Sequence, residues 1–328
     1  MGVGFVNIKD PLVSIATPVL NGEQYLSECI NSVLAQTYRN WEHAILDNCS
    51  TDRTFEMIQN YANQDGRIRL HRNQTRLSML QNWNHALRLM SPQSKYCKVL
   101  HADDLLFPDC VERMVQVGEA NPSVGIIGAY RIDEDHVNLD AMPFKSCVVS
   151  GKEMGRRRLL GEPDMFGSPS SLMVRADLIR QRECFYNEGN LHADSEVCFD
   201  LLRNVDFGFV HQVLTYTRRH NEAITSSARK LNTQKASHYL HLVKYGRDYL
   251  NDEEYGRQYK RARRVYYRFL GKDLLRTLID RDARARSRAF WEYHRGALAD
   301  LGQPLSVIRL FGATAAVLYD SGLDKLKV

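Results

Sequence analysis

The first 130 residues alternate short apolar runs with amphipathic segments, and this rhythm restricts the fold more than any other feature of the chain. Strand-length runs separated by helix-length stretches are the pattern of βαβ units on a parallel sheet. Val13-Ser14-Ile15-Ala16-Thr17 reads as the first strand. Tyr25, Leu26, Cys29, Ile30, Val33 and Leu34 then share one face at helical spacing, and Asn21 with Gln24 predicts a capping box before them. His43 to Leu46 reads as a second strand ending at Asp47, with Ser50 or Thr51 capping a helix that buries Phe55, Ile58 and Tyr61. Ile68 to His71 predicts a third strand, and Leu80, Trp83 and Leu87 another helix. Tyr96 to Leu100 reads as a fourth strand, Leu105 to Val117 as a helix and Val124 to Ala129 as a fifth strand. The predicted class is α/β, a mostly parallel sheet with flanking helices.

Residues 131–190 are less regular. Gly151, Gly155, Gly161 and Gly167 break long elements there, which predicts loops and short strands over one mouth of the sheet. Asp194 to Arg203 reads as a short helix, and beyond about residue 228 the pattern is helical. Charge changes at the same place. Residues 1–228 hold 23 Lys and Arg against 28 Asp and Glu, whereas residues 229–328 hold 21 against 11, a balance of +10. A basic region of this kind faces anionic lipid, nucleic acid or an anionic substrate, or is simply a solvated helical surface. Leu305 to Tyr319 is apolar but interrupted by Arg309, too short to span a bilayer and suited to a packed helix or an interfacial one. Seven scattered cysteines without a CxxC pair, and no secretory signal, predict a reducing, cytoplasmic setting.

Ligands of open α/β sheets bind beyond the carboxyl ends of the strands. Three such ends carry polar groups: Thr17-Pro18 with Asn21, Asp47-Asn48, and His101-Ala102-Asp103-Asp104. Together they offer base, ribose and metal–phosphate contacts to a nucleotide. Paired acids suit a hard divalent cation that takes one or two protein carboxylates and fills its shell with phosphate oxygens and water. The bland readings are a solvated turn for Asp103-Asp104 and a helix cap for Asp47. Neither a GxGxxG after a strand nor a GxxxxGK[ST] is present, and no Cys/His pairs stand at zinc spacing. A GxSxG elbow is absent too.

Three stretches carry a family resemblance: Val13 to Gly22 (VSIATPVLNG), Ile30 to Glu42 (INSVLAQTYRNWE) and Leu46 to Asp52 (LDNCSTD). Asn82-Trp83-Asn84-His85-Ala86-Leu87 and Asp103 to Asp109 extend it, and a weaker likeness runs from Gly167-Ser168-Pro169-Ser170-Ser171 to Leu214 through His220. This order and spacing resembles the inverting glycosyltransferases of family 2, whose GT-A fold is a Rossmann-like nucleotide-binding sheet. The resemblance implies a domain over residues 1–228, with a nucleotide-sugar half at about 1–130 and an acceptor half at about 131–228. A basic helical region, 229–328, follows. It implies Mn²⁺ or Mg²⁺ as cofactor, a nucleoside-diphosphate sugar (a UDP-sugar) as donor and a saccharide or lipid-linked saccharide as acceptor, in surface polysaccharide or glycan assembly. Nucleic acid is not an implied partner. Peripheral contact with the inner face of a membrane through 229–328 is the further expectation.

Thr17, Pro18, Asn21 and Asn48 are nucleotide-sugar candidates from their place at the strand ends; carried over by position, the resemblance adds Asp47 at the base, Asp103 at the ribose and diphosphate, and Arg219 near the phosphates. It assigns Asp103 and Asp104 to the metal, with His220 as a further ligand near the phosphates, and Asp194 to the catalytic base. Several positions depart from the family pattern. Leu20 stands for an aromatic residue, Asn48 for the second Asp after strand two, and His101 for the first acid of an Asp-x-Asp-Asp run. Ala193 stands for the Glu of a Glu-Asp pair, which keeps Glu196 as an alternative base. A sugar nucleotidyltransferase and a non-catalytic membrane- or partner-binding scaffold are the competing classes.

Overall fold

The computed structural model describes residues 10–138, 142–162, 165–190, 192–219 and 233–325. The chain divides into two compact units, residues 1–154 with 163–219 and residues 155–162 with 220–328.

The first unit is built on one sheet. Its strands are β1 (Val13–Val19), β2 (Trp41–Asp47), β3 (Ile68–Arg72), β4 (Tyr96–Val99), β5 (Leu105–Leu106), β6 (Val124–Asp133), β7 (His136–Asn138), β8 (Val148–Val149), β9 (Met173–Arg175) and β10 (Asp206–Thr217). The order is β3-β2-β1-β4-β9-β6-β10-β5, with β7 on β6 and β8 on β10. β3, β2, β1 and β4 run parallel, as do β6 and β10. β9 lies antiparallel between β4 and β6 and joins the two parallel halves. The carboxyl ends of β1, β2, β3, β4, β6 and β10 therefore share one edge, the GT-A arrangement.

Helices cover both faces, which is why β1 is buried along its whole length. Helix α1 (Leu26–Leu34) contributes Leu26, Cys29, Ile30 and Val33, and α4 (Cys110–Ala120) contributes Cys110, Val111 and Met114, to one core with Val13, Ile15, Ile45 and Tyr96. Gly118 permits the α4–β4 approach, since a Cβ there would lie 2.5 Å from the Tyr96 hydroxyl. Cys97 and Val99 of β4 point the other way, toward Leu87 of α3 (Met79–Arg88) and Val197 of α7 (Ala193–Leu201).

The expected strands are present, and the differences have local causes. Asn21 adopts φ +51°, which takes it out of a helical cap, and α1 starts at Leu26 without a side-chain cap. Asp52, rather than Ser50 or Thr51, accepts from Thr54 N at the start of α2 (Thr54–Gln64), at 3.0 Å. Leu105 to Val117 is not one helix: Leu105 and Leu106 pair with β10 before α4 begins at Cys110. The glycine-rich stretch holds a full helix, α5 (Gly151–Leu160), then a 3-10 turn at Pro169–Ser171, β9 and the short α6 (Ala176–Arg180).

The second unit carries the helices Thr233–Tyr249, Asp252–Ile279, Arg281–Asp300 and Val307–Lys325. Asn251 and Glu254 form a capping box at the start of Asp252–Ile279. Tyr239, Tyr266, Phe290 and His294 make an aromatic interior in which the Tyr266 hydroxyl meets His294 Nδ1 at 2.8 Å. No helix among the described residues is long and apolar enough to cross a membrane.

Candidate active site

Asp47 ends β2 and is fully buried. Its Oδ1 accepts from Ser50 N at 3.0 Å, the local cap of the turn. Its Oδ2 makes no hydrogen bond but lies 3.1 Å from Nε of Arg72, the residue beside it on β3. Asn48 faces the other way. Its Oδ1 accepts from Leu77 N at 2.9 Å and Asn73 Nδ2 at 2.8 Å, and its Nδ2 donates to Leu77 O at 2.9 Å. Asn73 continues to Asn82 Oδ1 at 2.9 Å and His85 Nδ1 at 2.7 Å, so the segment after β3 is held beside Asp47. Thr17 Oγ1 meets His43 Nε2 inside the sheet at 2.8 Å, and burial pushes the His43 imidazole down to about 3. Pro18 is buried in β1 opposite Leu46. Asn21 Oδ1 accepts from Thr51 N at 2.9 Å and its backbone N–H donates to Ser50 Oγ at 2.8 Å, lacing the two loops together. The side chains of Thr17, Asn21 and Asn48 thus build the frame of the site.

The turn after β4 gathers the acids. One ligand atom each from His101, Asp103 and Asp104 lies within 4.8 Å of the others. Asp104 is 2% exposed. Its Oδ1 accepts from Arg218 N at 3.0 Å, while its Oδ2 makes no hydrogen bond and stands 3.9 Å from His101 Nδ1. Burial pushes the Asp104 carboxyl up to about 6, His101 opposing the rise and Asp103 adding to it. A buried carboxylate oxygen without a hydrogen-bond donor, next to a second carboxylate and an imidazole, fits a hard divalent cation. The His101 ring packs on Trp83, centroids 4.4 Å apart.

Arg218 is the residue that sequence reasoning missed. Its backbone N–H holds Asp104, its Nε donates to Asp103 O at 3.1 Å, and its NH2 donates to Glu28 Oε2 at 2.9 Å. Its guanidinium lies 4.2 Å over the Tyr25 ring. The only sequence signal is adjacency to Arg219. That neighbour points elsewhere, gripping Asp133 at the end of β6 through Nε and NH2, both at 2.6 Å. His220 lies outside the described residues.

The turn Pro169–Ser171 links the acids to the second half of the unit. Ser170 Oγ accepts from His101 N at 3.0 Å. Ser170 O and Leu172 O accept from Lys98 Nζ at 2.7 and 3.2 Å; Lys98 is entirely buried, and burial pushes its ammonium pKa down. Behind this turn lies a narrow cavity lined by Gly167, Ser168, Pro169, Tyr186, Cys198 and Asp194. Asp194 stands in the first turn of α7, where its Oδ1 accepts from Ser195 N at 2.8 Å and the helix dipole favours its charge. Glu196 turns away. It is 5% exposed and accepts from Asn187 Nδ2 at 3.0 Å and Asn190 Nδ2 at 2.7 Å.

Known proteins match this chain in sequence and in fold. The family model for glycosyl transferase family 2 covers residues 14–182, just over half of it. An uncharacterized glycosyltransferase of Haemophilus influenzae is 26% identical over 258 residues, 71% of this chain and 76% of that protein. The putative glycosyltransferase EpsE of Bacillus subtilis is 34% identical over 171 residues, 52% of this chain and 58% of its own length. Among solved structures, S. aureus TarS 1-349 in complex with UDP-GlcNAc superposes with a TM-score of 0.65 at 15% identity, covering 94% of this chain and 88% of that one. The mannosyltransferase PcManGT from Pyrobaculum calidifontis, in complex with GDP-Man and Mn²⁺, gives 0.53 at 14%, covering 95% and 88%. At such identities the superpositions speak for the fold. The sequence match speaks for descent, and the chain belongs to glycosyl transferase family 2.

Proposed function

We propose that the chain is a metal-dependent, inverting glycosyltransferase that moves a sugar from a UDP-sugar to an acceptor hydroxyl of a saccharide or lipid-linked saccharide. The observation that carries this reading is the trio His101, Asp103 and Asp104, with Asp104 Oδ2 buried and lacking a hydrogen bond, on the sheet edge that also ends in Asp47. TarS, which shares the fold, was solved with UDP-GlcNAc, and PcManGT with GDP-Man and Mn²⁺. A putative teichuronic acid biosynthesis glycosyltransferase of Bacillus subtilis, TuaG, is a relative, which favours polysaccharide assembly as the setting.

In this reading residues 1–130 hold the donor and 131–228 the acceptor. Asp47 accepts a hydrogen bond from a ring N–H of the base, with Arg72 beside it. Asp103 and Asp104, with His101 alongside, hold Mn²⁺ or Mg²⁺. When bound, the cation offsets charge developing on the leaving diphosphate. Asp194 is the base. The acceptor oxygen forms a bond to the anomeric carbon from the face opposite the leaving group while its proton passes to the Asp194 carboxylate. The carbon–oxygen bond to the diphosphate breaks, and the nucleoside diphosphate departs with the electron pair. Glu196 is the alternative base, but two asparagine amides already occupy its oxygens. Arg219 serves the diphosphate by giving up Asp133.

The test is a thermal-shift panel of nucleotide sugars with and without Mn²⁺. A true donor at a hundredfold its dissociation constant stabilises by about 2.7 kcal/mol through mass action. One donor is expected to raise the melting temperature in a Mn²⁺-dependent way, and Asp104→Ala to abolish the rise. If no nucleotide or nucleotide sugar shifts the transition, the enzyme reading is wrong.

A further inference from the structure

Independently of the transfer reaction, we propose that the outer face of helix Val307–Lys325 docks on an anionic lipid surface. The helix has two unlike sides. Leu310, Thr314 and Val317 are buried. They face Asp252–Ile279, where Gly271 permits close contact: a Cβ there would lie 3.0 Å from Thr314 N. On the other side Ile308 is 87% exposed, Phe311 63%, Leu318 56% and Tyr319 70%, with only the small residues Gly312 and Ala315 between them. Single exposed apolar side chains are ordinary, but four large ones along one helix face form a contiguous patch that marks a partner. The helix is too polar to cross a bilayer, so its apolar side suits immersion in the plane of the interface.

Charge decides the occupant. Arg261, Arg264, Arg268 and Lys272 recur along one side of Asp252–Ile279, and Arg268 pairs with Asp320 on the apolar helix, which sets the basic stripe beside it. Arg261, Arg264 and Lys272 are exposed, as is Arg309 on the apolar helix itself. Residues 229–328 carry 21 Lys and Arg against 11 Asp and Glu. A symmetric contact between two copies would press these like-charged surfaces together. A bilayer bearing anionic headgroups accepts both the apolar stripe and the cations.

The test uses the full chain, co-sedimented with phosphatidylcholine vesicles that contain or lack phosphatidylglycerol. Binding is expected to the anionic vesicles, to fall with added salt, and to be weak on phosphatidylcholine alone. Ile308→Ser with Phe311→Ser removes two interfacial side chains and is expected to lower the partition coefficient by at least about tenfold. Leu318→Ser with Tyr319→Ser should act alike, and Arg261→Gln with Arg264→Gln should cost about fivefold per charge. All six residues are exposed or nearly so, so the melting temperature stays at the parent value. The proposal is overturned if anionic vesicles do not bind the chain, or if both serine pairs bind like the parent. It is also overturned if sedimentation velocity shows a dimer that the serine pairs dissolve, since a second copy then covers the face.

Discussion

Asn84→Ala tests whether the cavity beside Asp194 is held by one buried amide. Asn84 is 4% exposed and clasps the backbone of Tyr186, a lining residue that is itself 4% exposed. Its Oδ1 accepts from Tyr186 N at 2.8 Å, and its Nδ2 donates to Tyr186 O at 2.8 Å and to Glu188 Oε1 at 3.1 Å. Alanine leaves a buried N–H and a buried carbonyl without these partners. Each orphaned group costs about 1–3 kcal/mol, so the pair costs about 2–6 kcal/mol. In a unit of this size 1 kcal/mol moves the melting temperature by about 2–4 °C, and the expected drop is roughly 4–24 °C. Asn84→Asp keeps an acceptor for Tyr186 N but sets a buried carboxylate against Tyr186 O and Glu188 Oε1, so at neutral pH it should be no more stable than alanine. Differential scanning fluorimetry measures both. A melting temperature for Asn84→Ala within about 1–2 °C of the parent would refute the reasoning, because the amide would then carry none of the load assigned to it.

Asp194→Asn should lower kcat by about 10²–10⁴, the contribution of a positioned base, whereas Glu196→Gln should retain most of kcat and show its loss in melting temperature. The reverse ranking in a donor-consumption assay would move the base to Glu196. His43 gives a pH signature: its folded pKa of about 3 lies below the unfolded value of about 6.5, so the unfolded chain binds the extra proton. The stability present above pH 6.5 is then lost as pH falls toward about 3, by up to about 5 kcal/mol in all. Urea titrations should show a shallower acid slope in His43→Gln than in the parent, and equal slopes would exclude this origin. Arg219→Gln removes a half-exposed ion pair and should change stability by less than about 1 kcal/mol while raising the KM for the donor. An unchanged KM would confine Arg219 to its bond with Asp133. Chelation by EDTA should abolish transfer, and Mn²⁺ restore it, if Asp103 and Asp104 hold the cation as proposed.

What could be read from the sequence follows physical range. β1, β2, β4 and the first half of β6 were legible because each is a short, largely apolar run buried on both faces, and the polar ends of β1, β2 and β4 follow at once from where the apolar residues stop. β10, Asp206–Thr217, was missed. β9 was illegible: Met173, Val174 and Arg175 become a strand only because β4 and β6 leave an antiparallel slot between them. Helix α5 was hidden by reading Gly151 and Gly155 as breakers. They are contact residues. A Cβ at 151 would lie 2.1 Å from Leu202 O, and one at 155 would lie 2.4 Å from the Tyr249 ring.

The same distinction runs through the site. Asp194 and Glu196 stand two residues apart, a spacing that puts them on different sides of a helix, so their separation into a cavity-lining acid and a loop-holding one was available from periodicity. Arg218 and Arg219 follow the end of β10, where neighbouring side chains point to opposite faces, and one residue of register decides which reaches the acid turn. That register is fixed by the pairing of β10 with β6, through irregularities near Val210 and Val213, and no local pattern encodes it. The acid pair itself lies at the limit. Its position after β4 is a sequence fact, but what separates Asp104 from Asp103 is the arrival of the Arg218 backbone 114 residues later, which buries one carboxylate and spends one of its oxygens on an N–H. The oxygen left over is the one the proposed reading offers to a cation, so the chain's second half completes the candidate metal site that its first half announces.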